Sequence, residues 1–118
     1  MYRARDASTG VVVVEWLRPA HTHWTRLKGL LGTRNLASGE GLWLKPCRQV
    51  HMFAMRYAID VVFLNGEDRV VRIVHELAPW TISPLVSQAA SVIELPAGSV
   101  VATGIGEGSR LVFELHSH

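Results

Sequence analysis

Two strand-like runs joined by a turn sequence constrain the fold more than any other feature of this chain. The runs are Tyr57–Leu64 and Arg69–Val74, both rich in β-branched residues, and residues 65–68 between them read Asn-Gly-Glu-Asp. Asparagine and glycine favour the backbone angles that tight turns require. The pattern therefore predicts a β-hairpin with its turn at residues 65–68.

The first strand of this hairpin separates its residues onto two faces. Side chains alternate along a strand, so every second residue from Tyr57 to Phe63 shares one face, which we predict to be the core face. Arg56 and Asp60 share the opposite face but lie about 13 Å apart in an extended chain, so they need not pair. An unpaired buried carboxylate is costly. We expect Asp60 to accept backbone N–H groups or an arginine from elsewhere in the fold, or else to contact a ligand.

The remaining segments indicate a chain built mainly of strands. Thr22–Leu31 has the apolar spacing of an amphipathic helix, and a short helical turn is predicted near Ser99–Ala102. Residues 80–84 are predicted to be irregular or a sheet edge, because the flanking prolines cannot donate to a ladder. Further strands are predicted at Val11–Leu17, Leu42–Leu44, Ser91–Leu95 and Arg110–Leu115.

Short strands at turn-rich intervals favour a sandwich or a barrel over a parallel sheet. We expect a single domain over residues 1–118. The expected fold class is mainly β: an antiparallel β-sandwich of jelly-roll type or an open barrel, with one short helix in the N-terminal half. A chain of this length buries about two-thirds of its unfolded surface, which is enough for one core.

Cysteine content and hydrophobic patterning exclude several classes of protein. Cys47 is the only cysteine, so an internal disulfide and a thiol-based zinc site are excluded. No apolar stretch is long enough for a signal peptide or a membrane span. We therefore expect a soluble, cytoplasmic protein with no membrane partner.

The charge is unevenly distributed along the chain. Residues 1–59 carry nine Lys/Arg and three Asp/Glu, a net +6, and residues 60–118 carry three and seven, a net −4. Such asymmetry can mark an anionic partner, but folding interleaves the two halves. Nucleic acid is not expected, because Trp24 and Trp43 fall at predicted core positions and Glu107 would repel phosphate from the glycine-rich residues 104–108.

No catalytic, metal-binding or cofactor-binding residue is predicted. Cys47 and His51 are four residues apart, which is about 13 Å in the extended path that Pro46 favours, and no third group orients the pair. The six histidines show no metal-ligand spacing.

Five segments in order resemble a family of unassigned function, domain of unknown function 192 (DUF192). They are Arg26-Leu-Lys-Gly-Leu-Leu-Gly32, Gly41-Leu-Trp-Leu-Lys-Pro-Cys-Arg48, His51-Met-Phe-Ala-Met-Arg-Tyr-Ala-Ile-Asp-Val-Val-Phe-Leu64, Pro79-Trp80 and Val92-Ile-Glu-Leu-Pro-Ala-Gly98. The resemblance covers about residues 10–115 and implies a compact jelly-roll-type sandwich with little helix. It implies no particular reaction or substrate. The chain departs from the family's usual residues at Gln49, Met52, Ala58 and Ser109.

The matching residues divide into two kinds. Gly29, Gly41 and Gly98 are best explained by backbone geometry or close packing. The polar residues beside apolar strands form either a satisfied buried network or the lining of a pocket. They are Arg48, His51, Arg56, Asp60 and Glu94.

These five residues suggest a binding or accessory module for a small anionic or polar ligand. Arginine side chains suit carboxylate or phosphate, with Asp60 and Glu94 orienting them. Two alternatives stay open, and with them the question of whether the protein is an enzyme at all. One is a small hydrolase or lyase that uses His51 as general base, with Cys47 or a bound water. The other is an oligomerisation or partner-docking unit with Trp43 or Trp80 in an exposed apolar patch, the oligomeric state being undetermined.

Overall fold

A computed structural model describes residues 1–20, 36–52 and 55–117. The elements are β1 (Tyr2–Asp6), β2 (Val12–Ala20), β3 (Glu40–Leu44), β4 (Ile59–Leu64), β5 (Val70–Leu77), β6 (Ser91–Pro96), the helix α1 (Ser99–Thr103) and β7 (Leu111–Leu115). The mainly β class is confirmed, as are the predicted strands within a few residues at their ends. Strand β1 was not predicted, and the helix predicted at Thr22–Leu31 lies outside the described residues.

The central hairpin forms where its turn sequence predicts. Strand β4 pairs antiparallel with β5, and the side-chain Oδ1 of Asn65 accepts the backbone N–H groups of Glu67 and Arg69. Asn65 and Asp68 also bond through their backbones. Asparagine therefore holds the turn with its side chain, as Asx turns do.

The seven strands form one mixed sheet in the order β5-β4-β6-β3-β2-β1-β7. All pairs are antiparallel except β2–β3, which is parallel. The expectation of a wholly antiparallel sheet is corrected in this one pair. A parallel pair requires a long crossover, and residues 21–39 are long enough to supply one.

The sheet curls into an open barrel. The rings of Trp43 on β3 and Phe113 on β7 stack with their centroids 4.1 Å apart, although β2 and β1 lie between these strands. Three strand spacings in a flat sheet would separate them by about 14 Å. At one corner the two edges of the sheet also meet, through a bridge between Arg69 and Arg110.

Strand β4 is buried on both faces, and each face belongs to a different core. Ile59, Val61 and Phe63 pack into the first core, which the segments around Val50 and Val86 cover. Alternate residues of β4, Val62 and Leu64, pack into the second core, inside the curl, and α1 packs there through Val100. The predicted alternation is confirmed, but the face of Asp60, which was not predicted as a core face, is buried as well. The second core covers it.

Within the described residues, no helix has the length and apolar character needed to cross a membrane.

Candidate functional site

The carboxylate of Asp60 lies at a junction of three elements. Its Oδ1 accepts the backbone N–H of Glu76, and its Oδ2 accepts those of Gly98 and Val100, each at 3.0 Å. The Asp60 side chain is fully buried. A buried carboxylate is stable when N–H donors replace its water shell. This arrangement, which we call the Asp60 junction, matches the structural alternative weighed for this residue.

Local irregularities supply the three donors of the Asp60 junction. The register of β4 against β5 shifts between Ile59 and Val61, and Glu76, in the bulge opposite, has φ 50°. Gly98 and Val100 lie at the start of α1, where backbone N–H groups lack partners within the helix. Asp60 therefore joins β4 to the bulge of β5 and to the first turn of α1.

Two family-motif glycines have distinct structural reasons. Gly98 has φ 90° with open space at its Cβ position, so only backbone geometry selects glycine there. A Cβ on Gly41 would lie 2.9 Å from Leu95 Cδ2 and 3.1 Å from the carbonyl oxygen of Glu94, so close packing selects glycine there. Gly29 lies outside the described residues.

Glu94 is fully buried on the other face of the sheet from Asp60. It pairs across strands with Leu42 and Val61, so its side chain points into the first core. Asp60 pairs with Leu95 and points the opposite way. The two carboxylates therefore lie on opposite faces of the sheet and do not share one site.

A surface groove lies where the chain leaves β3 and meets the segment before β6. Its first concavity, of about 430 Å³, is lined by Pro46, Cys47, Arg48, Gln49, His51 and Leu85. A second concavity of about 480 Å³ adjoins it and is lined by Lys45, Pro46, Cys47, Arg48 and residues 87–90. The two share residues 46–48 as a common wall. We call them together the cationic groove.

Hydrogen bonds fix the walls of the cationic groove to each other. The backbone N–H of Val86 donates to the carbonyl of Arg48, and that of Ser83 donates to the carbonyl of Val50. The Ser83 hydroxyl, which is buried, accepts the N–H of Val50 at 2.8 Å. Residues 48–52 and 80–86 are thus paired through several backbone contacts. These contacts hold the walls of the groove in a defined position relative to each other.

The charged side chains that line the groove are basic. Arg48 is exposed, and its Nε donates a hydrogen bond to the carbonyl of Ala89 at 3.3 Å. The ammonium of Lys45 lies 5.7 Å from the centre of the Trp43 ring. Burial raises the pKa of Asp68, and the charges of Lys45 and Arg110 act against that rise. Arg48 is the cation that lines both concavities, whereas Lys45 lines only the second.

The groove also holds the two residues weighed as a catalytic pair. Cys47 and His51 both line the first concavity. The Cys47 thiol donates to the carbonyl of Gln49 at 3.2 Å. Among the described residues, no cluster of three or more histidine, cysteine or acidic side chains is arranged to hold a metal ion.

Of the five residues predicted to form a site, the structure brings Arg48 and His51 together. Arg56 is exposed and lines neither concavity, and Asp60 and Glu94 are buried in the sheet. Gln49 and Leu85 also line the groove and were not predicted to do so. Leu85 follows a proline in a segment with no strand or helix period, so no local pattern could have placed it beside Arg48.

The two tryptophans considered for a docking patch differ in exposure. Trp43 stacks on Phe113 and meets the ring of Tyr2 edge-on at 5.6 Å, packed against the second core. Trp80 is 67% exposed, and Ile82 and Leu85 in the same segment are 49% and 68% exposed. Of the two tryptophans, Trp80 is therefore the exposed one, in a segment that presents three large apolar side chains to solvent.

Two solved structures share this fold. A protein of unknown function from Novosphingobium aromaticivorans DSM 12444 matches with a TM-score of 0.76 and 22% identity, covering 94% of this chain and 82% of that one. A protein from Sinorhizobium meliloti 1021, described as a "putative transcription regulator", matches with a TM-score of 0.72 and 23% identity, covering 95% and 91%. At such identities the likeness shows the fold alone.

No curated protein matches the sequence. The model of DUF192, described as an uncharacterised conserved family, matches residues 4–113, nearly the whole chain. The resemblance found in the five sequence segments is thereby confirmed, and this chain belongs to the DUF192 family.

Proposed function

We propose that this protein is a binding module for a small anionic ligand, held in the cationic groove by Arg48 and His51. The observation that carries the proposal is the composition of the groove: among the described residues, its lining includes Lys45, Arg48 and His51 and no acidic residue. A guanidinium forms paired hydrogen bonds with carboxylate or phosphate oxygens. Concavities of this volume are in the usual range for small-molecule sites.

Three of the residues predicted for the site take other roles in this proposal. Asp60 holds the backbone of β5 and α1, Glu94 is buried in the first core, and neither lines the groove. Arg56 stays in solvent. Ligand specificity then depends on the groove alone.

Thermal shift tests the proposal, because a ligand that binds the folded state alone stabilises it by about 2.7 kcal/mol at a concentration of 100 Kd. Inorganic phosphate, citrate and succinate are titrated against the intact chain at constant ionic strength. We expect at least one of them to raise the Tm of the parent, and Arg48→Ala to abolish that rise. Arg72→Ala removes an equal charge from an exposed site on β5 and is expected to keep it. No rise with any anion, or a full rise in Arg48→Ala, would contradict the proposal.

A second candidate function is hydrolysis or lyase chemistry with His51 as general base. The observation that favours it is that Cys47 and His51 line one concavity. It predicts turnover of an activated ester such as p-nitrophenyl acetate that His51→Gln removes, and that Cys47→Ser also removes where the thiol and not a bound water is the nucleophile. Turnover that survives both substitutions would exclude this candidate.

A third candidate function, an oligomerisation or partner-docking unit, is favoured by the exposure of Trp80. Light scattering distinguishes it from a monomeric binder: the docking proposal expects a dimer in the parent and a monomer in Trp80→Ser.

A further inference from the structure

The segment that closes one side of the cationic groove exposes apolar side chains although its backbone is anchored. Trp80 donates its N–H to Met52, Ser83 to Val50 and Val86 to Arg48, each to the backbone carbonyl. Ser83 and Val86 are buried, while Ile82 and Leu85 are about half and two-thirds exposed. The exposure is therefore built into a fixed segment, and it leaves apolar surface in water at a cost.

These exposed side chains lie beside the basic residues of the groove. Leu85 lines the first concavity together with Arg48 and His51. Ile82 is bridged in antiparallel fashion to His51, and residues directly opposite each other in such a pair point to the same side. One wall of the groove is therefore basic, and Leu85 and Ile82 next to it form what we call the apolar border.

This combination determines which anions fit the groove. A fully hydrated inorganic anion would contact Arg48 and His51 and leave Leu85 and Ile82 in water. An anion attached to an apolar body would satisfy the guanidinium and also cover the leucine and isoleucine side chains. In the part of the chain that the structure describes, no acidic residue lines the first concavity to repel the anionic end.

We propose that the groove binds an organic anion that carries an apolar body, with its anionic group on Arg48 and His51 and its apolar body on Leu85 and Ile82. This proposal rests on the proposed function and specifies the class of its ligand. Since the buried contacts of Ser83 and Val86 hold the apolar border in place, binding needs no rearrangement of the segment.

Calorimetry with matched probes tests it on the intact chain. Octanoate has the charge and the apolar body, acetate has the charge alone, and octanamide has the body alone. We expect octanoate to bind at least tenfold more tightly than acetate, and octanamide to bind at least tenfold more weakly than octanoate. Arg48→Ala is expected to reduce octanoate binding to the level of octanamide.

The variants of the apolar border make the test specific. We expect Leu85→Ser to weaken octanoate binding about fivefold and to leave acetate binding unchanged. The matched control is Leu115→Ser, which alters a leucine that is 81% exposed on β7 and is expected to change neither. Equal reduction of octanoate binding by both variants would indicate non-specific adsorption and overturn the proposal.

The two proposals fail in distinguishable ways. Equal affinity for octanoate and acetate would overturn the apolar border and leave the anion site standing. Equal affinity for octanoate and octanamide would overturn this inference, because the basic wall would then contribute nothing. If no anion binds, neither phosphate, citrate and succinate nor octanoate, the proposed function itself is wrong.

Discussion

The Asp60 junction and the cationic groove were one candidate site in the sequence and are two different structures in the molecule. At the Asp60 junction both carboxylate oxygens are occupied by backbone donors and the side chain is out of solvent. In the groove, Arg48 is exposed with one side-chain hydrogen bond to a carbonyl. The first arrangement uses its polar group to hold the fold. The second leaves its polar group available.

The difference shows why a polar residue in an apolar strand is weak evidence for a ligand. The partners of Asp60 lie 16, 38 and 40 residues further along the chain, so nothing in the local sequence reveals that its hydrogen-bonding capacity is met. Buried polar groups are usually satisfied in this way. The comparison therefore predicts large stability effects at the Asp60 junction and small ones in the groove.

The largest effect is expected from removing the carboxylate. Asp60→Ala leaves three backbone N–H groups without their acceptor, and each unsatisfied buried donor costs about 1–3 kcal/mol. Because two of the three donors are only partly buried, we expect a loss of about 3 kcal/mol in the free energy of unfolding, measured by urea denaturation. Asp60→Asn keeps one acceptor oxygen and is expected to lose less. An unchanged denaturation midpoint together with lost ligand binding would place Asp60 in the functional site after all.

A smaller effect is expected at the glycine that donates to Asp60. Gly98→Ala places a side chain at φ 90° with no neighbour within 4 Å, so the loss is backbone strain alone, about 1–2 kcal/mol. Gly106→Ala is the control, because its Cβ also meets nothing within 4 Å but its φ is not in the left-handed region. We expect that control to be neutral or slightly stabilising. Equal denaturation midpoints for the two variants would show that the Asp60 junction does not depend on this backbone geometry.

Local patterns explain why the strands were predictable and the groove was not. Alternation and the Asn-Gly turn sequence act within a few residues, and they placed β4 and β5 correctly. Strand β1 was not predicted because it has no apolar run. Its residues Arg3 and Arg5 pair instead with Glu15 and Glu114 on neighbouring strands. The groove depends on residues 48–52 meeting residues 80–86, and the parallel β2–β3 pair depends on a long crossover. Neither has a local signature.

Asp6, unlike Asp60, is bonded by a residue close to it in the sequence, and its contribution to stability is expected to depend on pH. Asp6 accepts the backbone N–H and the hydroxyl of Ser8, both at 2.9 Å, and the backbone bond from Ser8 is the main cause that lowers the pKa of Asp6 below its ordinary 3.8. A carboxyl whose folded pKa is depressed stabilises the fold above the unfolded pKa, and the contribution is lost as pH falls through the folded value. At pH 6 the parent is therefore expected to have a higher free energy of unfolding than Asp6→Asn, and this difference should shrink below about pH 3.8. A difference that stays constant between pH 6 and pH 2.5 would contradict the assignment.

The smallest effect is expected in the groove, and it is the one that most directly tests the comparison. Arg48→Ala removes one hydrogen bond from an exposed side chain to the carbonyl of Ala89, so the free energy of unfolding should change by no more than about 0.5 kcal/mol. Arg48→Lys retains the charge but not the planar fork, and it should leave stability equally unchanged while weakening anion binding. If Arg48→Ala instead costs about 2 kcal/mol or more, the arginine holds the groove walls together. The groove would then be a second structural junction, because the main role of Arg48 would be its contact with Ala89 and not the binding of a ligand.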